Sequence, residues 1–409
     1  MFGITHFQLR LKFLGYIFEI VKHDSADEKQ VHPHCRVLIW SMLRNGSDRV
    51  KLQGVSMRIG IPKEIKPREG RVALIPAACA QLRQHGHDVF VQAQAGLMSG
   101  YNDSDYQAAG VTILPDAAAL YGAAQLIVKV KEPQPAELGL LRPEHLLFSY
   151  LHLAAAPDLL RGLREIGLTA VAFETVQEGR ALPLLAPMSD IAGRLSIQIG
   201  ANLLHQTHGG RGVLLGGLPA AERGHVVILG AGVAGGNAAL MAQAIGAEVT
   251  VFDPNREKLA AMRALGPNVT GLHPYQFAIE EHLHSADMLI GAVLIPGAKA
   301  PHLVTADMVR RMQPGSVIID ISVDQGGCIE TTHPTDYNQP TFIWEGVVHF
   351  GVTNMPGAVP RSASQALSAA LVPYILRLTQ AAWDSEPALA TGINVQAGKI
   401  VHPALQNVA

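Results

Sequence analysis

The segment Val226-Val227-Ile228-Leu229-Gly230-Ala231-Gly232-Val233-Ala234-Gly235 constrains this chain more than any other. Four consecutive apolar residues suit a strand buried on both faces, and Gly-x-Gly-x-x-Gly followed by an Ala-rich run suits a tight turn into a helix. Gly230 permits the turn, Gly232 lets the backbone approach a pyrophosphate, and Gly235 lets helix and strand pack closely. A diphosphate then sits at the positive end of the helix. Asp253 stands at the end of the next strand, 23 residues after Gly230. A carboxylate there can take both ribose hydroxyls of an adenosine and repels a 2′-phosphate, which favours NAD over NADP. Arg256 and Lys258 lie close enough in sequence to oppose that preference.

Around this unit the chain alternates. Before it, strands are expected at 58–62, Asp88–Gln92, Leu126–Lys131, His145–His152 and Thr169–Glu174, with a helix over 77–86 closed by Gly86. After it, strands are expected at Glu248–Phe252, Met288–Ala292 and Val317–Ile321. Such alternation implies parallel sheets. A long helix with Ser189 as N-cap is expected from Ser189 to Thr207, joining two domains. With 409 residues, 48% hydrophobic and 16% charged, the chain has enough apolar material for two such cores.

Composition narrows the partners. The net charge of −2 supplies no basic field for nucleic acid or an anionic membrane. No window of about 18 apolar residues is free of charges and turn residues, so no transmembrane helix is expected. Cys35, Cys79 and Cys328 lie far apart with neither disulfide nor zinc spacing, no metal site is expected, and the cytosol fits. Cys328 has no basic neighbour in sequence and reads as a packing residue.

Hydride chemistry also needs a charged hold on the substrate and a group that moves protons. Arg71 follows the first strand and its loop, and Lys131 ends a strand, so both fall at the carboxyl edge of an N-terminal sheet. His152 ends the next strand and Asp324 follows the last one, in Asp324-Gln325-Gly326-Gly327. Spacing alone leaves each open to an ordinary role as core histidine, solvated lysine or turn acid.

The motifs resemble the alanine dehydrogenase family over residues 57 to about 380. The resemblance is carried by Met57-Arg58-Ile59-Gly60-Ile61-Pro62-Lys63-Glu64, Lys129-Val130-Lys131-Glu132-Pro133, Leu184-Leu185-Ala186-Pro187-Met188-Ser189, Gly291-Ala292-Val293-Leu294-Ile295-Pro296-Gly297, Val323-Asp324-Gln325-Gly326-Gly327-Cys328 and Asn354-Met355-Pro356-Gly357-Ala358-Val359-Pro360. It implies an α/β fold of two Rossmann-like, doubly wound parallel-sheet domains, the NAD domain (187–355) inserted into a substrate domain (57–186 and 356–409). It implies NAD-dependent, reversible deamination of L-alanine to pyruvate and ammonium, with hydride transfer to nicotinamide, by a cytoplasmic homohexamer. Arg71 and Lys131 are then substrate residues, Arg71 clamping the carboxylate as a bidentate fork, with His152 and Asp324 as catalytic groups. The implied cofactor contacts are Ser189, Gly230, Gly232, Val233, Ala234, Gly235, Asp253, Lys258, Val293, Leu294, Ile321, Asn354 and Met355.

Two stretches depart from the pattern. Residues 1–56 carry eight Lys and Arg against five acids and show no sustained periodicity, so they are expected to be an upstream mistranslation or a dispensable extension. The run Ser362-Ala363-Ser364-Gln365-Ala366-Leu367-Ser368 has serines where the family pattern leads us to expect threonines and an asparagine. The rival reading is the NAD(H)-binding subunit of a proton-pumping transhydrogenase, which converts no amino acid. Lys131, the setting of His152 and the Asp324 turn argue against it.

Overall fold

The computed structural model describes residues 9–13, 16–20, 56–293, 301–406 and 408. Met1–Gln53 and Gly54–Ala409 form separate compact units. In the first, Leu9–Phe13 and Tyr16–Ile20 pair as an antiparallel hairpin, an element that the sequence pattern did not suggest. The expectation for 1–56 otherwise falls outside the described residues.

The second unit holds two sheets. Strands β1 (Arg58–Ile61), β2 (Asp88–Gln92), β3 (Thr112–Leu114), β4 (Leu126–Val128), β5 (Leu146–Ser149) and β6 (Thr169–Ala172) are parallel in the order β6-β5-β4-β1-β2-β3. Helix α1 (Pro76–Gln84) follows β1. Strands β7 (His225–Leu229), β8 (Glu248–Phe252), β9 (Val269–Leu272), β10 (Met288–Gly291) and β11 (Val317–Asp320) build the second sheet. Antiparallel β12 (Thr341–Trp344) and β13 (Val347–Phe350) complete it in the order β9-β8-β7-β10-β11-β13-β12. The chain then returns to the first sheet, where β14 (Ile393–Gln396) lies antiparallel to β6 and β15 (Lys399–Ile400) caps the edge.

Both sheets are covered on both faces, and their strands alternate accordingly. Leu126 and Val128 enter one core with Ile59, Phe148 and Val171, while Ile127 enters the other with Leu147 and Ala170. In the second sheet Val226 and Ile228 face one way, Val227 and Leu229 the other. Three long helices bind these layers: α2 (Ala186–Leu203), α3 (Val233–Ile245) and α4 (Pro360–Leu378). The serines that depart from the family pattern take up buried backbone groups here: Ser364 Oγ accepts from the Val72 amide at 2.9 Å and Ser368 Oγ from the Ile75 amide at 3.0 Å. No helix among the described residues is long and apolar enough to cross a membrane.

Some boundaries differ from the sequence pattern, for physical reasons. Helix α2 begins at Ala186, with Leu185 as N-cap and Pro187 in the first turn, where its missing N–H has no helical partner to lose. Ser189 is therefore inside the helix rather than its cap, and the helix ends at Leu203. Strands β4, β5 and β6 stop two or three residues before the ends expected from sequence. Lys131, His152 and Glu174 thus leave the sheet instead of ending strands.

Candidate active site

In each sheet the strand order reverses beside the first strand, between β1 and β4 and between β7 and β10. Ligand crevices of open α/β sheets form at such switch points, outside the carboxyl ends of the strands. The loops from these ends line one cleft. Arg71, Lys131, Tyr150 and His152 reach it from the first sheet, and Val293, Ile321, Ser322, Asp324, Asn354 and Met355 from the second. Ser189 and Met188 of α2 and Ala234 of α3 complete the wall. The four residues singled out for substrate and catalysis therefore share one space.

Each is held by a specific device. Arg71 is 3% exposed and bound by Glu69, which accepts from its Nε at 2.7 Å and its Nη2 at 2.6 Å. Nη2 also donates to Asn354 Oδ1 at 2.8 Å, and Nη1 lies 3.1 Å from Met188 Sδ. The fork expected to clamp a substrate carboxylate is thus engaged by Glu69, and Nη1 is the part of the guanidinium left to a ligand. Glu69 was not singled out from sequence, although it stands only two residues from Arg71. Its carboxyl is held below the usual range: burial pushes it up, and its bonds to Arg71 outweigh that.

Lys131 sits beside a buried ion-pair network. Neighbouring Lys129, fully buried, reaches Glu137 at 2.7 Å and Glu64 at 3.4 Å, and Glu64 Oε1 accepts from the Val130 amide at 2.7 Å. This fixes the segment from which Lys131 projects. Burial, and then the charge of Arg71, push the Lys131 ammonium below its ordinary pKa.

His152 adopts a left-handed backbone, φ 47° and ψ 40°, which L-residues reach only when something holds them there. Glu174 supplies the hold: its carboxylate accepts from the His152 amide at 2.6 Å and the Leu151 amide at 3.2 Å. The same carboxylate lies 3.9 Å from His152 Nδ1, and the imidazole is stacked parallel to Tyr150, 6.0 Å between centroids. Neither Glu174 nor Tyr150 was singled out from sequence; the partnership of Glu174 with His152 exists only once β5 and β6 lie side by side.

Asp324 lies in the short turn Val323–Gln325 after β11. Solvent reaches it through the cleft, yet the protein packed around its carboxyl raises its pKa, against the pull of His152 and Lys131. It is therefore a carboxyl that holds its proton to higher pH than a free aspartate does. Cys328, further along the loop, is fully buried as expected.

The glycine turn fits a dinucleotide. Gly230 has φ 96°, and a Cβ at Gly235 would lie 1.7 Å from the Gly230 carbonyl oxygen, so both must be glycine. At Gly232 a Cβ would meet nothing within 4 Å, leaving that backbone open to a ligand, and no side chain caps α3 where Val233 begins it. Asp253 is 5% exposed; its Oδ2 accepts from the Ala231 amide at 2.8 Å, its Oδ1 from the Asn255 amide at 2.8 Å, and Lys258 Nζ stands 3.8 Å away. Asp253 thus also braces the turn. Leu294 lies outside the described residues.

Comparisons with known proteins agree in kind. Residues 60–192 match the family model for the N-terminal domain of alanine dehydrogenase/PNT, and residues 196–403 that for its C-terminal domain. The chain is 47% identical over 355 residues to the alanine dehydrogenase of Bacillus subtilis, covering 85% of this chain and 94% of that protein. Among solved structures it resembles an L-alanine dehydrogenase with 52% identity and a TM-score of 0.83, covering 86% of this chain and 99% of the other. A transhydrogenase from Sinorhizobium meliloti is 28% identical with a TM-score of 0.74, covering 85% and 99%.

Proposed function

This chain belongs to the alanine dehydrogenase/PNT family, and from that premise we propose how its cleft performs the family's chemistry. It is an NAD-dependent oxidoreductase that interconverts L-alanine with pyruvate and ammonium. Bound NAD accepts the hydride from the substrate α-carbon, or returns it in the reverse direction. The single observation that carries the assignment of roles is that Arg71, Lys131, His152 and Asp324 line one cleft with the residues beside the glycine turn.

In this reading Arg71 Nη1 and Lys131 hold the substrate carboxylate, Glu69 having fixed the guanidinium beforehand. Hydride loss from the α-carbon, with loss of one amine proton, leaves an imine. Water adds to its carbon, giving a carbinolamine whose C–N bond breaks to release ammonia and form the pyruvate carbonyl. Asp324, with its raised pKa, passes protons between water, the hydroxyl and the departing nitrogen. Lys131 and His152 donate to the carbonyl oxygen and polarise it when the reaction runs toward alanine. The overall balance is alanine, NAD⁺ and water to pyruvate, ammonium, NADH and one proton.

The glycine turn at Gly230–Gly235, Asp253 and Lys258 are assigned to the adenosine and diphosphate half of NAD. Ser189, Val293, Leu294, Ile321, Asn354 and Met355 are assigned to the nicotinamide half. The division into a substrate domain (57–186 and 356–409) and an NAD domain (187–355) is supported by the return of β14 to the first sheet. A cytoplasmic homohexamer is the assembly that the family resemblance supports.

Alanine-dependent NADH formation by the purified chain, compared with its His152→Ala variant, tests the roles. Loss of turnover with retained NADH binding is expected, and near-normal turnover overturns the assignment of His152.

A further inference from the structure

Beneath the turn that carries Asp324 lies a second carboxylate to which the proposed reaction gives no part. Asp320 ends β11 and is 1% exposed. Its Oδ1 accepts from the Ser322 amide at 3.1 Å and the Ser322 hydroxyl at 2.9 Å, and its Oδ2 from the Cys328 amide at 3.1 Å. The Thr332 hydroxyl stands 2.9 Å from Oδ2 and equally far from the Ile329 carbonyl oxygen, between which it shares its proton. Among the described residues no cation pairs with Asp320.

These donors come from both arms of one loop. Ser322 precedes Asp324, and Cys328 and Thr332 follow it, after the chain has reversed through left-handed Gly326 and Gly327, φ 100° and 68°. The surroundings are cut to the carboxylate: a Cβ at Gly327 would lie 2.6 Å from Oδ2, and one at Gly291 would lie 2.8 Å from Oδ1. Burial pushes the pKa of this carboxyl up, and the hydrogen bonds from Thr332, Ser322 and Cys328 oppose that shift, so its two oxygens are held as acceptors by these partners and by no cation among the described residues.

We infer that Asp320 is a positioning residue for the reaction: by clasping both arms of the loop it holds Asp324 in the cleft toward His152 and Lys131. An amide cannot replace it. Each oxygen faces a backbone N–H of fixed direction, so an asparagine must turn its own NH₂ toward one of them. The inference rests on the reading of Asp324 as the proton-transferring group.

The test uses the full chain with Asp320→Asn, Thr332→Val, Thr332→Ser and Asp324→Asn. It measures kcat and KM for alanine, NADH affinity by fluorescence, and the circular dichroism melt. Asp320→Asn is expected to lower kcat on the order of 10- to 100-fold, the scale of a misplaced catalytic group, with NADH affinity within about threefold of the parent. Thr332→Val is expected to lower kcat by a smaller factor, and Thr332→Ser to restore it. Parental kcat in folded Asp320→Asn overturns the inference, as does an equal loss of NADH binding and kcat, which marks a general structural role. Should Asp320→Asn not fold, parental kcat in Thr332→Val overturns it instead. Near-normal turnover in Asp324→Asn identifies a different failure, that of the reading of Asp324, and removes the basis of the inference with it.

Discussion

Glu69 grips Arg71 at three points, the backbone amide at 3.0 Å, Nε at 2.7 Å and Nη2 at 2.6 Å, and both side chains are buried. The guanidinium is therefore aimed before any substrate arrives, and its reach toward a ligand is confined to Nη1. Glu69→Ala leaves a buried cation without its partner, which costs about 3–5 kcal/mol in comparable pairs. Urea unfolding should show a loss of that size, and the KM for alanine should rise more than the KM for NAD. Parental stability together with parental KM excludes the grip as a functional device.

Glu174 does for His152 what Glu69 does for Arg71, but through the backbone. Without its carboxylate the left-handed conformation at His152 loses its support, and the imidazole leaves the plane of Tyr150. Glu174→Ala should reduce kcat by about 10²-fold, the range of a displaced acid–base group, with NADH binding intact. Glu174→Gln retains one acceptor for the amides and should lose less. Equal kcat in both variants and the parent refutes the coupling.

Asp253 carries two duties that one substitution confounds. Its Oδ2 braces the Ala231 amide, and its charge is proposed to read the ribose. Asp253→Ala should weaken NAD binding and raise the ratio of NADP to NAD turnover; Asp253→Asn removes the charge at a smaller cost to the turn, keeping one acceptor while turning its NH₂ toward the other backbone N–H. If that ratio is unchanged in both variants, the residue braces the turn and another group reads the ribose.

Asp324 gives a pH dependence whose sign is fixed. Its pKa is raised on folding, chiefly by the protein packed around its carboxyl, so the folded chain disfavours its ionised form. The associated stability is present below the unfolded carboxylate pKa and lost as pH rises through the folded one. Asp324→Asn removes that loss together with the group proposed to carry protons. Thermal melts should show the variant more stable than the parent at neutral pH and the difference closing toward pH of about 4. Turnover should fall by roughly 10²–10⁴-fold. A melting difference independent of pH contradicts the raised pKa.

The parts legible in sequence are those whose partners are close along the chain. The turn from Gly230 to Gly235 is one continuous segment, and its acid lies one strand later, so motif and spacing suffice. The loops that deliver Lys131 and His152 look like continuations of their strands in sequence, because Val130, Tyr150 and Leu151 extend the strand-like character past the last ladder pairs. What draws the chain off the sheet is remote: Glu64 takes the Val130 amide from 66 residues away, and Glu174 takes the His152 amide from 22. The capture of Arg71 by Glu69 spans two residues, but a charged loop contains many pairs at that distance, and only burial distinguishes this one. Asp320 read as the tail of a strand, since the donors that define it fold back from a loop not yet formed in a linear reading.

The antiparallel strand Ile393–Gln396 beside Thr169–Ala172 has a consequence for how the chain is made. A ribosome releases the N-terminal half of the first sheet long before the strand that covers its edge, and the nucleotide-side sheet is complete in between. Of the two sheets of this unit, the one begun first is thus the last to close, and it waits with an open edge for Ile393–Gln396. A stop codon placed before residue 393 would therefore injure a sheet whose first strand lies more than 300 residues upstream.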